Sequence, residues 1–330
     1  MFLATAQTYL YKRLIRSLIV FFIILIINFI LPRAMPGNPA SILANEHQLP
    51  PEAVNILTRE WRLDAPLHEQ FIAYIKSIFT GNWGFSYQYY PRTVYEIVME
   101  RLPWTLLLQG TTTVTVGLTG IILGMIAGWR RGSAVDASIT ISAVIVYAIP
   151  YYWLALLLQY FLGYKLRIFP ISQALTPGAI YHSPIDYIAD VLSHMALPVL
   201  AVTLTAYASY ALIMRNSMID LLGEDFVFVS RAIGLPESKV MRIVVRNALL
   251  PPVTMLAIRA GYIIGGSIIT ETIFSYPGLG FLIYQSIIYK DYPVLNAAFF
   301  MLSITIILAN LIADFIYVLL DPRIRYGERR

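Results

Sequence analysis

Six long apolar runs punctuate this chain, and runs of that length constrain a fold more than any motif does. About 20 apolar residues in an α-helix cross the hydrocarbon core of a bilayer. Within lipid the backbone must satisfy its own hydrogen bonds, so a continuous apolar run crosses as a helix. The runs fall roughly at Leu14–Leu31, Trp104–Trp129, Ala137–Gly163, Ile188–Met214, Pro252–Ile273 and Val294–Leu320. A length of 330 residues would by itself suggest two soluble domains. With 13% charged residues and a mean hydropathy of +0.66, composition overrules that. The sequence predicts an all-α polytopic membrane protein with six transmembrane helices.

Lys12, Arg13 and Arg16 precede the first run, as they would in a signal peptide. The run is longer than a usual signal core and no clear small-residue cleavage site follows, so it reads as a retained helix. Basic residues then set the orientation. With the N-terminus in the cytosol, Arg130, Arg131, Arg215, Arg231, Lys239, Arg242, Arg246, Arg323, Arg325, Arg329 and Arg330 also fall inside. Outside the long loop 32–103, only Lys165, Arg167 and Lys290 face the other way. Long loops follow the positive-inside rule poorly, so both termini are expected to be cytoplasmic. The expected organisation is a cytoplasmic N-terminus and first helix at 1–31 and an extracellular or periplasmic subdomain at 32–103. A five-helix transmembrane core at 104–320 contains a cytoplasmic segment at 215–251, and 321–330 forms a cytoplasmic tail.

The loop 32–103 exceeds the length of a connector. Leu67, Phe71, Ile72, Ile75 and Phe79 recur at helical spacing, and Gly81-Asn82-Trp83-Gly84 reads as a turn. An ordered helical subdomain accounts for the aromatics there; whether it receives a soluble partner, forms a lid or caps the membrane face stays open.

Catalytic chemistry has little footing. The chain has no cysteine, which excludes disulfides, iron–sulfur clusters and thiolate metal sites. His47, His68, His182 and His194 are scattered, so no metal site is expected. There is no phosphate-binding loop of the G-x-x-x-x-G-K-[ST] type, no serine nucleophile elbow and no paired intramembrane acids. The net charge of +5 is spread between apolar runs rather than gathered in a patch for nucleic acid.

Polar and small residues inside the runs carry the remaining signals. Gly120, Gly124 and Gly128 at i, i+4, i+8, and Gly261 with Gly265, are spaced for close helix packing in lipid. Asn310 and Asp314, also four apart, suit interhelical hydrogen bonding. Arg259 either lines a substrate path or snorkels to the interface, and the second reading is favoured. Tyr147 and Tyr151 belong to an aromatic group with Tyr152, Trp153 and Tyr160. Such residues usually form interfacial belts, yet Tyr147 and Tyr151 are also candidates for the path.

A basic amphipathic segment, Phe226–Pro251, interrupts the apolar runs. Gly234 breaks it, and Pro236 can start the next helix. That helix sets Val240, Ile243, Val244 and Leu250 against Lys239, Arg242 and Arg246. The pattern fits a helix lying on anionic lipid as well as a contact with a cytosolic motor.

Here the sequence resembles the permease subunits of the dipeptide/oligopeptide/nickel family of binding-protein-dependent ABC importers, the B-type in particular. The coupling motif of that family, Glu-Ala-Ala with a spaced Gly and a later Leu-Pro, is similar to Ser230-Arg231-Ala232, Gly234 and Leu250-Pro251. Ser230 stands where the general pattern has Glu. Pro36-Gly37-Asn38-Pro39, Leu63-Asp64-Ala65-Pro66, Gly81-Asn82-Trp83-Gly84-Phe85-Ser86 and Arg101-Leu102-Pro103 follow the family order. So do Glu271-Thr272-Ile273-Phe274-Ser275-Tyr276-Pro277-Gly278-Leu279-Gly280, Asp291-Tyr292-Pro293 and Leu320-Asp321-Pro322-Arg323.

The resemblance implies a half-channel in a prokaryotic plasma membrane. A second, C-type permease would supply the other half. Two ATPase subunits would carry ATP and Mg, with no cofactor on this chain, and an external binding protein would deliver the substrate. Ser230, Arg231, Ala232, Gly234, Leu235 and Pro236 would couple to the ATPase. Peptides are the default substrate; nickel or a small oligosaccharide such as cellobiose is the alternative. A self-sufficient secondary transporter would need paired broken helices and an intramembrane acid, for which Asp314 is the inner candidate. A scaffold would need a sizeable soluble domain.

Overall fold

The computed structural model describes residues 2–46, 48, 50–261, 263 and 268–320. Among them the architecture is all helical, with one isolated antiparallel bridge, Phe85 to Thr93, and no strand. The helices are α1 (Phe2–Ala34), α2 (Pro39–Glu46), α3 (Pro51–Glu60), α4 (Leu67–Thr80), α5 (Val94–Trp129), α6 (Ala134–Ala148) and α7 (Tyr151–Leu158). A π-helical stretch, Gln159–Lys165, extends α7. Then come α8 (Pro184–Leu222), α9 (Asp225–Ala232), α10 (Glu237–Ala248), α11 (Leu250–Gly261), α12 (Ile268–Ile273), α13 (Leu279–Tyr289) and α14 (Tyr292–Leu320).

Three stretches, Ile15–Ala34, Val94–Trp129 and Pro184–Leu222, are single helices long and apolar enough to cross a bilayer. The run Ala137–Gly163 is not one straight span. It divides between α6 and α7, which meet at 99°. Pro150 is the cause, because it pushes Ile149 out of the helical region, to φ −79° and ψ 126°. A second bent pair, Glu237–Ala248 with Leu250–Arg259, turns by 42°. The run Val294–Leu320 lies within α14.

The chain divides into two compact units. The first comprises Met1–Thr105, Ile264–Ile268 and Pro277–Arg330. In it α1 lies along α14, with Leu25 and Phe29 packed beside Phe300 and with Asn28 donating to Ser303 at 3.3 Å. Phe71, Tyr74, Ile75 and Ile78 of α4 close on the same cluster. The amphipathic helix expected there is present, but Leu67, Ile72 and Phe79 face outward. The start of α5 packs Val94, Ile97 and Val98 against Leu279, Leu282, Val294 and Ala297. Asp291, 1% exposed, ties the loop after α4 to the α13–α14 corner. Its carboxylate accepts from the Ser86 hydroxyl and, at 3.2 Å, from the Gln88 amide. Burial pushes that carboxyl upward, against the pull of those hydrogen bonds.

The second unit comprises Leu106–Ile263 and Ile269–Tyr276. Within it α5 comes close to α8. A side-chain carbon on Gly120 or Gly124 would run into the backbone or Cβ atoms of Tyr210, Tyr207 and Ala211, and one on Gly128 would sit 2.5 Å from Met218 Cβ. Gly117 is a further close approach, toward Leu256 of α11 at 2.6 Å. Ala143 of α6 packs against Tyr207, Ala208 and Ala211 of α8, where Leu123 of α5 joins them.

Candidate functional site

The segment Asp225–Ala248 is built as a fixed corner. Helix α9 ends in a Schellman motif: the Leu235 amide donates to the Ser230 carbonyl at 3.1 Å and the Gly234 amide to the Arg231 carbonyl at 3.0 Å. Gly234 sits at φ +80° with nothing within 4 Å of where its Cβ would be, so the demand for glycine comes from the backbone alone. Pro236 then precedes the first turn of α10, holding extended backbone at ψ 145°. Arg231 spans the corner. Its Nε donates to Glu237 Oε1 at 2.9 Å and its Nη2 to Oε2 at 3.1 Å. That carboxylate hydrogen bond raises the Arg231 pKa. Both side chains stay about half exposed, so the pair fixes direction more than it adds stability.

One face of the corner is anchored. Val227 of α9 and Val240, Val244 and Ala248 of α10 are buried with Met214 and Met218 of α8, with Met125 and Trp129 of α5 packed around them. Spacing of i, i+4, i+8 along α10 makes this a single stripe. Ile243 is on its margin, and Leu250 belongs to α11 and is exposed. The anchor is reinforced where Arg215 of α8 donates to Asp136 at 2.5 and 2.8 Å. Asp136 in turn accepts from the Gly132 amide at 2.9 Å and sits in the first turn of α6, whose N-cap is Ser133. The opposite face is free: Phe228 is 76% and Ile233 70% exposed, and Arg231, Lys239, Arg242 and Arg246 also point outward. Ser230 turns its hydroxyl back to the Phe226 carbonyl, 2.7 Å away.

The transmembrane candidates lie apart from that corner. Arg259, in the last turn of α11, hydrogen-bonds Tyr210 of α8. The Tyr151 hydroxyl donates to Thr270 Oγ1 at 2.8 Å, and its ring packs on the cluster of Val116, Val202 and Tyr210. Tyr151 and the partner of Arg259 thus share one neighbourhood, whereas Tyr147 points away, 68% exposed. Gly261 ends α11, and Gly265 and the tail 321–330 lie outside the described residues. Asn310 and Asp314 are on α14, beyond the part whose side chains are described. Among the described residues no cluster of three or more His, Cys, Asp or Glu could hold a metal ion.

The sequence reading missed Glu237, Asp136 and Arg215. Arg231 and Glu237 are six apart, a spacing with no meaning on a continuous helix, and Asp136 meets Arg215 across 79 residues of chain.

Comparison with known proteins matches residues 120–326 to the family of binding-protein-dependent transport system inner membrane components. Residues 6–109 match the N-terminal region model of such membrane components. The chain is similar to the oligopeptide transport system permease protein AppB of Bacillus subtilis, at 31% identity over 96% of this chain and 99% of that protein. It is also similar to the dipeptide transport system permease proteins DppB of Escherichia coli, 31% identical over 92% and 95% of the two chains, and of Lactococcus lactis, 30% identical over 96% and 99%. The chain therefore belongs to the family of binding-protein-dependent transport system inner membrane components, the multi-pass membrane permease subunits of ABC importers.

Proposed function

We propose that this chain forms half of a translocation pathway for peptides across a prokaryotic plasma membrane, with both termini and the corner Asp225–Ala248 on the cytoplasmic side. A C-type permease supplies the other half. An external binding protein delivers the peptide, and two ATPase subunits holding ATP and Mg drive the cycle. This chain is the non-catalytic, moving part.

The observation that carries the proposal is the two-sided corner of α9 and α10. A lever has to be stiff, fastened at one face and free at the other. Schellman closure and the Arg231–Glu237 pair supply stiffness, the valine stripe supplies fastening, and Phe228, Ile233 and the exposed arginines supply a docking face. Ser230, Arg231, Ala232, Gly234, Leu235 and Pro236 form the tip that would enter the ATPase. Closure of the ATPases would then rock α8 through Met214 and Met218, a rigid-body transmission. Peptide as the substrate is supported by the names of the relatives, which are oligopeptide and dipeptide permeases. Tyr151 and Arg259, near Val116 and Tyr210, are the proposed contributors to the path.

Purification of the tagged chain in mild detergent tests the assignment. A second six-span permease and one or two ATPases are expected to co-elute. A homo-oligomer without a nucleotide-binding partner across several detergents would instead favour a self-sufficient transporter.

A further inference from the structure

The outer face of α10 is a column of like charge. Lys239, Arg242 and Arg246 stand at i, i+3 and i+7, and all three are exposed. They lie across the helix from the buried stripe of Val240, Val244 and Ala248. Glu237 is the one acid on α10, and Arg231 already occupies both of its oxygens. Among the described residues none of the three cations has a carboxylate partner. Arg242 and Arg246 are four apart, and like charges at that spacing destabilise a helix in water. A face meant only for solvent is better served by acids set among the bases; this one calls for an anionic surface.

Where the column leads says which surface. Four and seven residues beyond Arg246 it reaches Leu250 and Val253 of α11, which are 52% and 43% exposed. Helices α10 and α11 are together apolar enough to make one span, bent by 42°. The exposed side thus changes within one helical turn from cations to apolar side chains without protein cover. A helix has that pattern where it passes from headgroups into hydrocarbon. Along the axis Arg246 is about 6 Å from Leu250, Arg242 about 12 Å and Lys239 about 16 Å. Arg130 and Arg131, also exposed, follow Trp129 at the end of α5, and Trp129 packs on the same cluster as Val240 and Val244. A second long apolar helix therefore ends in cations beside the same cluster. Phe228 and Ile233 are set apart from this column, on α9 ahead of the turn at Gly234.

We propose that the basic face of α10 binds anionic phospholipid of the adjoining leaflet, with Arg246 and Arg242 on the headgroup phosphates and Lys239 at their edge. The corner is then held by protein on one face of α10 and by lipid on the other, and the α9 tip with Phe228 and Ile233 remains for the ATPase. The inference needs a bilayer beside α11 and neither a peptide nor a nucleotide, so it stands or falls apart from the transport assignment.

Native mass spectrometry of the purified chain with its co-eluting subunits tests this, using phosphatidylglycerol and phosphatidylcholine of identical acyl chains as probes. Tighter binding of phosphatidylglycerol is expected. A Lys or Arg near an anionic membrane surface contributes about fivefold in affinity, the equivalent of ~1 kcal/mol. Arg246→Gln should therefore remove about fivefold of the preference. Arg242→Gln should remove less and Lys239→Gln least, because the attraction fades over a Debye length of about 8–10 Å. Arg246→Lys should keep most of the preference, since a headgroup surface is read by charge. All three side chains are exposed, so these variants fold, and co-elution of ATPases is read on the same preparations. Equal binding of the two lipids, or a preference that every glutamine variant retains, would overturn the proposal. So would loss of ATPase co-elution in Lys239→Gln with the lipid preference unchanged in all three variants, which would assign the face to a cytosolic motor.

Discussion

Gly234 shows how much one backbone angle can decide. At φ +80° an L-residue costs about 1–2 kcal/mol, and the open space around the missing Cβ removes any steric contribution from neighbours. Gly234→Val is therefore expected to abolish peptide uptake while membrane insertion and expression stay normal. Gly234→Asn, which tolerates the left-handed region, should retain much of the activity. Whole-cell uptake of a labelled dipeptide, normalised to the amount of permease in the membrane, separates the two. Near-normal uptake by the valine variant would refute a mechanical role for the corner. The glycine, the proline and the basic residues were legible in the sequence because each changes local backbone or charge. Glu237 as the mate of Arg231 was not, since that pairing exists only after the chain has turned.

Between elements, the contact of α5 with α8 is set by absent side chains. Gly124 lies against the Ala211 carbonyl and the Met214 Cβ, the latter 2.7 Å from where a Cβ would be. Gly124→Leu must part the two helices, at a cost of roughly 1–3 kcal/mol for overpacking. A lowered thermal midpoint of the detergent-solubilised protein is expected, whereas Gly110→Ala, on the same helix with open space around it, should leave the midpoint unchanged or raise it slightly. An unchanged midpoint for Gly124→Leu would mean that the helices separate freely. The long apolar runs were readable because a membrane span needs only length and composition. Direction was harder to read. Pro150 was visible, but the 99° turn at Ile149 depends on what α6 and α7 pack against, and α8 supplies that. In α4 the spacing identified a helix, yet burial of Tyr74 and Ile78 instead of Leu67 and Phe79 follows from where Phe29 and Phe300 lie.

For the whole molecule, the proposed orientation makes a direct prediction. The native chain contains no cysteine, so single cysteines can be introduced without a background. Glu60→Cys is expected to react with a membrane-impermeant maleimide in spheroplasts, and Lys239→Cys only after permeabilisation; both positions are exposed. The reverse pattern would invert the topology and remove the corner from any cytosolic motor. The corner has a further consequence, because its two helices are joined by so few residues. Between Ala232 and Glu237 the chain has a fixed length as well as a fixed shape. One inserted residue would advance α10 by about 100° around its axis, swinging Val240, Val244 and Ala248 off Met214 and Met218. A surface turn usually absorbs insertions and deletions, but this one acts as a length gauge, counting residues as strictly as a buried strand would.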